Sequence, residues 1–340
     1  MKELISCSAL AVARMLLVVL AGVYFAKKGV LNKETRHALS KIILQLMLPA
    51  LYVVSMGQNA NIEVVKQCWS IPVTAMIFVM AGFSMGWLCC RILRIPAHLH
   101  RGITASSAFC NSSFLPYPLM MTLCAIVPAF VADGDAVQRS ILYLSLFLLG
   151  HSPLLWLIAN PYLGGLHWKE LNWRNLLSPS LVSIFVGIFI GITPCLHNLF
   201  FGEHAPLKLL PMACNLISSA AFPCSLLLLG GNLAEKLPPG ESPPLRAYIG
   251  LTMVRLVLMP IFGIGFTFLL LSLGIIPKDP IFLLVLMLES AVPPAFNLIL
   301  IVQMHKKNEI ALSRLMLCCY CACVPLLTGA LAVMLYLTLR

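Results

Sequence analysis

Charge is what this sequence has least of. Of 340 residues only 10% are Asp, Glu, Lys or Arg, against about 25% in ordinary soluble domains, while 60% are hydrophobic. A soluble fold of that composition would aggregate, so a water-surrounded domain is excluded. Acids are scarcer than bases, 12 against 23, which leaves a formal charge of +11. A nucleic-acid partner would need those bases gathered on one water-facing surface. Here they fall in short loops between apolar runs, and no nucleic-acid contact is expected. Signatures of chemistry are missing too: there is no GxxxxGK[ST] loop for direct ATP drive, no HExxH and no GxSxG. An enzyme is therefore not expected, nor a metal or other cofactor. Nor does a wide hydrophilic linker divide the chain, because the longest cytoplasmic connection, Pro161 to Leu177, is short.

What the sequence has instead is apolar runs of about 20 residues, each long enough to cross a ~30 Å hydrocarbon core at ~1.5 Å per residue. Taken between polar breaks they predict ten spans, at 5–26, 38–57, 69–92, 102–127, 138–160, 178–198, 211–234, 246–274, 279–304 and 309–338. The first run lacks a basic leader of weight and a small-x-small cleavage site, so it is expected to stay as a span. Lys and Arg resist translocation and mark cytoplasmic loops. Fifteen of the 23, from Lys27 and Lys28 to Arg314, fall in or beside the loops after odd-numbered spans, and six lie on the side of the termini. The remaining two, Arg14 and Arg255, lie within spans. Both termini are thus expected on the non-cytoplasmic side.

Thirteen cysteines would be a disulfide framework in a small secreted chain. Most lie inside apolar runs, including Cys89, Cys90, Cys110, Cys124, Cys214 and Cys224, where a thiol packs as a small apolar group. Cys318, Cys319, Cys321 and Cys323 contain one CxxC spacing, with no His or acid interleaved to complete a metal set.

The two halves of the chain rhyme. Pro49 precedes Gly57 in span 2, and Pro223 precedes Gly230 and Gly231 in span 7. Pro72 and Pro260 fall in spans 3 and 8, though at different depths. The fourth span of each half is broken by polar residues and prolines: AFCNSSFLPYP around Asn111 to Pro118, and ESAVPPAFN around Glu289 to Asn297. Five spans per half is an odd number, so the second half sits inverted relative to the first. The fold expected is an all-α integral membrane protein whose ten transmembrane helices form two inverted five-helix repeats, with broken, crossing helices 4 and 9. The first repeat covers 1–160, a short cytoplasmic linker 161–177, and the second repeat 178–340. Matching interrupted segments mark the binding site in secondary transporters of this plan. A proline removes an N–H and frees backbone groups, which lipid does not tolerate unless they line protein or a water-filled cavity. Half-helix N-termini there attract anions, and freed carbonyls attract cations.

At these residues the sequence resembles the auxin efflux carrier family, which includes plant PIN and PIN-LIKES proteins and microbial carriers. NSSFLPYPL at 111–119 looks like the family's Asn-x-x-x-Leu-Pro-x-Pro segment in helix 4, and Pro293, Pro294, Ala295 and Asn297 look like the crossover of helix 9. FAKKGVLNKETRHALSKIILQLMLPAL is similar to the family's entry into helix 2, and MVRLVLMP, with Arg255 and Pro260, to its helix 8. SRLMLCCYCACVPLL resembles the last helix of the PIN-LIKES branch. The long central hydrophilic loop of the better-known plant members is absent, which favours the short-loop branches. The resemblance implies a scaffold domain of spans 1, 2, 6 and 7, a transport domain that rocks against it, and carboxylate-bearing cargo, without naming auxin as that cargo. It further implies residence in the endoplasmic reticulum membrane of a eukaryote, or else the plasma membrane, and a homodimer through the scaffold helices.

The candidate substrate contacts are Asn111, Ser112, Ser113, Pro116, Pro118, Pro293, Pro294 and Asn297. Each asparagine amide both donates and accepts, and could hold substrate or cap freed backbone. Glu289 lies about ten residues into its span, hence ~15 Å deep, where an acid must face a cavity or a partner. Its negative charge suits coupling to a proton or cation better than holding an anion. Arg255, nine residues after Arg246, is expected to snorkel to the cytoplasmic face or to pair within the membrane, with a substrate or gating role as the other reading. His151 is expected to be a satisfied packing residue. The function expected is a secondary carrier of small organic anions, of the efflux type, working by alternating access. A carrier-like sensor that binds without transport, or a proton- or sodium-coupled carrier of another substrate, is the alternative.

Overall fold

Proline decides where these apolar runs stay helical and where they break. The computed structural model describes residues 2–112, 114–165, 178–202, 205–234, 242–305 and 309–339. The helices are α1 (Lys2–Lys27), α2 (Lys33–Asn59), α3 (Ile62–Ile92), α4 (Ala97–Ala108), α5 (Pro116–Ile126) and α6 (Ala136–Gly164). They continue as α7 (Pro179–Ile192), α8 (Leu209–Leu233), α9 (Leu245–Ser272), α10 (Pro280–Ala291), α11 (Asn297–Met304) and α12 (Glu309–Thr338). Seven of them, α1, α2, α3, α6, α8, α9 and α12, are long and apolar enough to cross a membrane. Among the described residues the only β-type pairing is a single bridge, Cys110 to Pro294. The chain is a multi-pass helical membrane protein.

The other helices are short. At ~1.5 Å per residue α4, α5 and α10 each reach about 17–18 Å and α11 about 12 Å, so each covers roughly half a bilayer or less. The stretches read from sequence as broken, 102–127 and 279–304, accordingly separate into α4 with α5 and α10 with α11. The stretch 178–198 departs from its expectation as one straight span. After α7 the chain bends by 103° into a short helix, Pro194–Phe200. Thr193 is pushed to φ −100°, ψ 103° because the residue before a proline is disfavoured in the α region. Of the linker expected at 161–177, residues 166–177 lie outside the described residues.

Three long helices carry a π-helical turn, at Ile43–Met47 in α2, Leu155–Ala159 in α6 and Val254–Leu258 in α9. Each ends two residues before a proline, Pro49, Pro161 or Pro260. The proline ring clashes with the carbonyl four residues back and offers it no N–H. Widening the preceding turn moves that carbonyl aside and lets the helix continue across the proline.

Small residues set the helix packing, as expected where lipid supplies no hydrophobic drive between helices. α1 packs along α8 and α2 along α7, while α3 holds α4 and α6, and α9 and α12 flank α10. A β-carbon at Gly230 would overlap the Val19 carbonyl across the α1–α8 contact, and one at Gly150 the Pro72 carbonyl across α3–α6. At the far end from the Arg91–Arg101 loop, Arg139 of α6 pairs with Asp133, and with Asp279 at 2.8 Å. Tyr143 donates to the same Asp279 at 2.9 Å, and Asp279 caps α10 through Ile281 N–H at 3.0 Å. That network pins the start of α10 to α6 and so fixes the depth at which α10 ends.

Candidate functional site

Where α4 and α10 end, their chains cross and pair. Phe109 is extended (φ −100°, ψ 114°) and so is Val292 (φ −72°, ψ 151°). Asn111 N–H donates to Pro293 O at 2.9 Å, and Ala295 N–H to Phe109 O at 2.9 Å. Pro293 and Pro294 have no N–H of their own, so their side of the crossing offers carbonyls and the Asn111 side supplies a donor. The chains then re-enter helices at Pro116, which leads α5, and at Asn297, which leads α11. Two half-helix N-termini, with their partial positive charge, therefore begin just past the crossing.

Asn111 is 3% exposed, and its oxygen and one of its two amide protons tie the crossing. Its Nδ2 donates to Tyr320 Oη at 2.7 Å, and its Oδ1 accepts from Phe114 N–H at 3.3 Å. Tyr320, from α12, donates in turn to Pro294 O at 2.8 Å. One side chain from a third helix thus ties the two breaks together.

Arg255 ties them a second time. It does not snorkel to the membrane face: its side chain is 1% exposed, inside the π-helical turn of α9. Nε donates to Val292 O at 2.7 Å, Nη2 to Glu289 O at 3.0 Å and Nη1 to Ser107 O at 3.4 Å. The sequence explains why those carbonyls are free. Glu289 O would take its helical bond from residue 293, which is a proline, and Ser107 O from Asn111 N–H, which is committed to Pro293 O. A cation also suits the two helix C-termini that converge there.

Glu289 is fully buried. Its Oε2 lies 3.6 Å from Cys110 Sγ, and its Oε1 has no hydrogen-bond partner among the described residues. Cys110 Sγ is also 3.0 Å from Ser112 Oγ. His151 of α6, 4% exposed, stacks on Phe147 and meets Phe109 edge-on, yet its Nε2 has no partner among the described residues. The expectation of a satisfied packing histidine holds for its ring faces and fails at that nitrogen.

Around these groups lies a cavity of about 30 Å³, lined by Cys110, Asn111, Ser112, His151, Ser152, Asn297 and neighbouring apolar side chains. That is room for about one or two water molecules. At that volume a ligand larger than water needs the breaks to part. No Lys or Arg lines it among the described residues.

With this geometry in view, comparison with known proteins is decisive about kinship. The pattern of the family described as membrane transport protein matches residues 8–158 and 167–331. The chain belongs to that family. It is the auxin efflux carrier-type family that the residues resemble, a family of transporters and not of enzymes. Similar members include Protein PIN-LIKES 5 of Arabidopsis thaliana, 25% identical with 96% of each chain covered. Protein PIN-LIKES 1 of the same plant is 24% identical over 90% of this chain and 74% of its own. The uncharacterized transporter YBR287W of Saccharomyces cerevisiae is 22% identical over 88% of each chain.

Of the residues singled out in this family member, Asn111, Ser112 and Asn297 meet at the cavity, with Glu289 behind Cys110. Pro116, Pro118, Pro293 and Pro294 are buried and shape the backbone without lining the cavity. Ser113 lies outside the described residues. Ser290 bonds its own helix, through Met287 O at 2.6 Å. Sequence reasoning missed Tyr320, Cys110 and His151 as neighbours of the site, and the Arg255 bonds. Tyr320 sits in an apolar run with no local signal, whereas Cys110 stands directly before Asn111 in the first break. For Arg255 a signal existed: a proline four residues after Glu289 leaves a carbonyl that something must satisfy.

Proposed function

We propose that this protein is a secondary carrier of small organic anions, of the carboxylate class, working by alternating access at the crossing of α4–α5 with α10–α11. The observation that carries this reading is the pairing of two proline-broken helices around a polar cavity lined by Asn111, Ser112 and Asn297. Two half-helix N-termini beside it favour an anion, and amide groups can hold a carboxylate without a fixed cation. The reading takes the chain as ten spans in two inverted repeats: the seven long helices, the bent α7 segment, and the two broken pairs as spans 4 and 9. Packing of α1 along α8 and α2 along α7 supports a scaffold of spans 1, 2, 6 and 7, with the remaining helices as the moving body. A homodimer through that scaffold, both termini on the non-cytoplasmic side and residence in the endoplasmic reticulum membrane belong to the same reading. Membership of the auxin efflux carrier-type family supports auxin-like carboxylates as the first substrates to try.

The test is flux. Vesicles holding the protein should accumulate or release radiolabelled carboxylates saturably, and Asn111→Ala should suppress that flux at equal protein content. Binding without flux at any potential or pH turns the reading to a carrier-like sensor.

A further inference from the structure

We propose that the cavity at the shared end of α4, α6, α11 and α12 binds an acidic phospholipid, with Arg101 holding the headgroup phosphate and the cavity floor holding the apolar part. The proposal does not depend on what crosses the membrane; it needs only that the chain sits in a bilayer. The volume is about 340 Å³, against about 30 Å³ at the crossing. That falls within the ~300–1,000 Å³ of small-molecule sites.

The cavity lies at headgroup depth. Its wall from Ala97 to Gly102 opens α4, Leu163 is in the last turn of α6, Val302 in the last turn of α11, and Leu312 and Leu315 in the first two turns of α12. Four helices starting or stopping together mark the level where hydrocarbon gives way to headgroups. Arg91, at the end of α3 before the same loop, lies 4.7 Å over the Trp87 ring, and Trp is enriched at that level.

The floor and the rim differ in chemistry. Leu163, Val302, Leu312 and Leu315 are each no more than 3% exposed and make an apolar floor. Arg101 and His98 are exposed on the rim, and no acid lines the cavity among the described residues. The Arg101 guanidinium is 6.0 Å from the Tyr162 ring centroid, at the edge of cation–π reach. Stacking uses the guanidinium face and leaves its in-plane N–H fork for a phosphate. α4 begins at the same wall, and its N-cap, Pro96, supplies no side-chain cap, so the positive end of that helix adds to the arginine charge. Basic pockets between membrane helices hold acidic lipid headgroups. A neutral lipid leaves the rim charge unmatched, and a soluble phosphate leaves the floor uncovered; an acidic phospholipid satisfies both. Its seat touches α4 and α11 together, which are halves of the two broken stretches.

Native mass spectrometry of the purified full chain in neutral detergent can count the lipid bound on titration with dioleoyl phosphatidylserine, with dioleoyl phosphatidylcholine in parallel. One phosphatidylserine is expected to bind in preference to phosphatidylcholine. Arg101→Gln should weaken that binding at least about fivefold, which is the ~1 kcal/mol of one basic residue near a lipid surface converted to a binding constant. Ala97→Trp keeps every charge and fills the cavity from an exposed position, and should weaken binding as well. Arg91→Gln removes a charge from the same end of the chain but outside the cavity, and should leave binding unchanged. Melting temperatures of all three show that each is folded. Equal binding of phosphatidylcholine overturns the proposal, and so does equal weakening by Arg91→Gln and Arg101→Gln, which marks diffuse attraction. Full binding by Ala97→Trp puts the lipid outside this cavity and overturns it too. Glycerophosphoserine, the headgroup without its chains, displacing the lipid at the lipid's own affinity would make a soluble phosphate the occupant and overturn the lipid.

Discussion

Replacing Arg255 tests whether the crossing is held by the shape of a guanidinium or only by its charge. In Arg255→Met three buried carbonyls, those of Ser107, Glu289 and Val292, lose the donors that now reach them at 3.4, 3.0 and 2.7 Å. Each orphaned carbonyl costs about 1–3 kcal/mol. Removing a charge from the membrane interior recovers roughly 2.5–3.5 kcal/mol. Three carbonyls less that recovery leave a balance between about zero and about 6 kcal/mol, centred on a loss of about 3 kcal/mol, with the long 3.4 Å bond contributing least. Arg255→Lys is the sharper variant. It keeps the cost of the charge, but one ammonium cannot reach carbonyls on two separate segments with the fork of a guanidinium. It is expected to be at least as unstable as Arg255→Met. Thermal unfolding can be followed with a thiol-reactive fluorophore once the exposed thiols of Cys195, Cys318 and Cys321 have been blocked, since Cys90, Cys319 and Cys323 are buried and become reactive on unfolding. A melting temperature unchanged in Arg255→Met would show that the carbonyls are satisfied elsewhere. Full rescue by lysine would show that charge alone suffices. Either result refutes the reasoning.

Other consequences are as direct. Tyr320→Phe removes both the acceptor of Asn111 Nδ2 and the donor to Pro294 O, and should cost about 1–3 kcal/mol in unfolding free energy while slowing carboxylate flux. Gly230→Val forces side-chain atoms into the Val19 carbonyl and should destabilise the α1–α8 contact by about 1–3 kcal/mol, whereas Gly265→Ala, which meets nothing within 4 Å, should raise the melting temperature. Asp279→Ala strips Arg139 of one partner and Tyr143 of its acceptor; it should lower stability by about 1 kcal/mol, and the loss should shrink in high salt.

The membrane class was legible because it rests on whole runs of residues. So was the presence of both breaks, because a Pro-Tyr-Pro or Pro-Pro inside an apolar stretch disrupts a helix whatever surrounds it. What a local pattern could not carry was the partner of each freed group. Tyr320 lies 209 residues from Asn111, and Arg255 lies 148 from Ser107, so neither bond leaves a trace in spacing. Of the two readings of Arg255, pairing holds and snorkelling does not: an arginine nine residues from Arg246 snorkels when its helix faces lipid, and this one turns inward at a π-helical turn. The same limit applies to Thr193–Pro194, where a run apolar enough for a straight span hides a 103° bend. Asn111 was placed correctly at the break. That its amide holds Tyr320 became visible only when α12 was packed beside it.

The central claim is that cargo sits at the crossing of the two breaks, and Cys110 allows this to be measured directly. Its thiol lines the cavity and is 3% exposed, so it reacts only when the site opens. Reconstituted protein should be treated with a membrane-impermeant thiol reagent from either face, and modification at Cys110 read by peptide mass spectrometry. The account predicts slow labelling of Cys110 from both faces, with saturating carboxylate protecting it and Asn111→Ala abolishing the protection. Labelling of Cys110 that carboxylate never alters, in protein that transports that carboxylate, would contradict it.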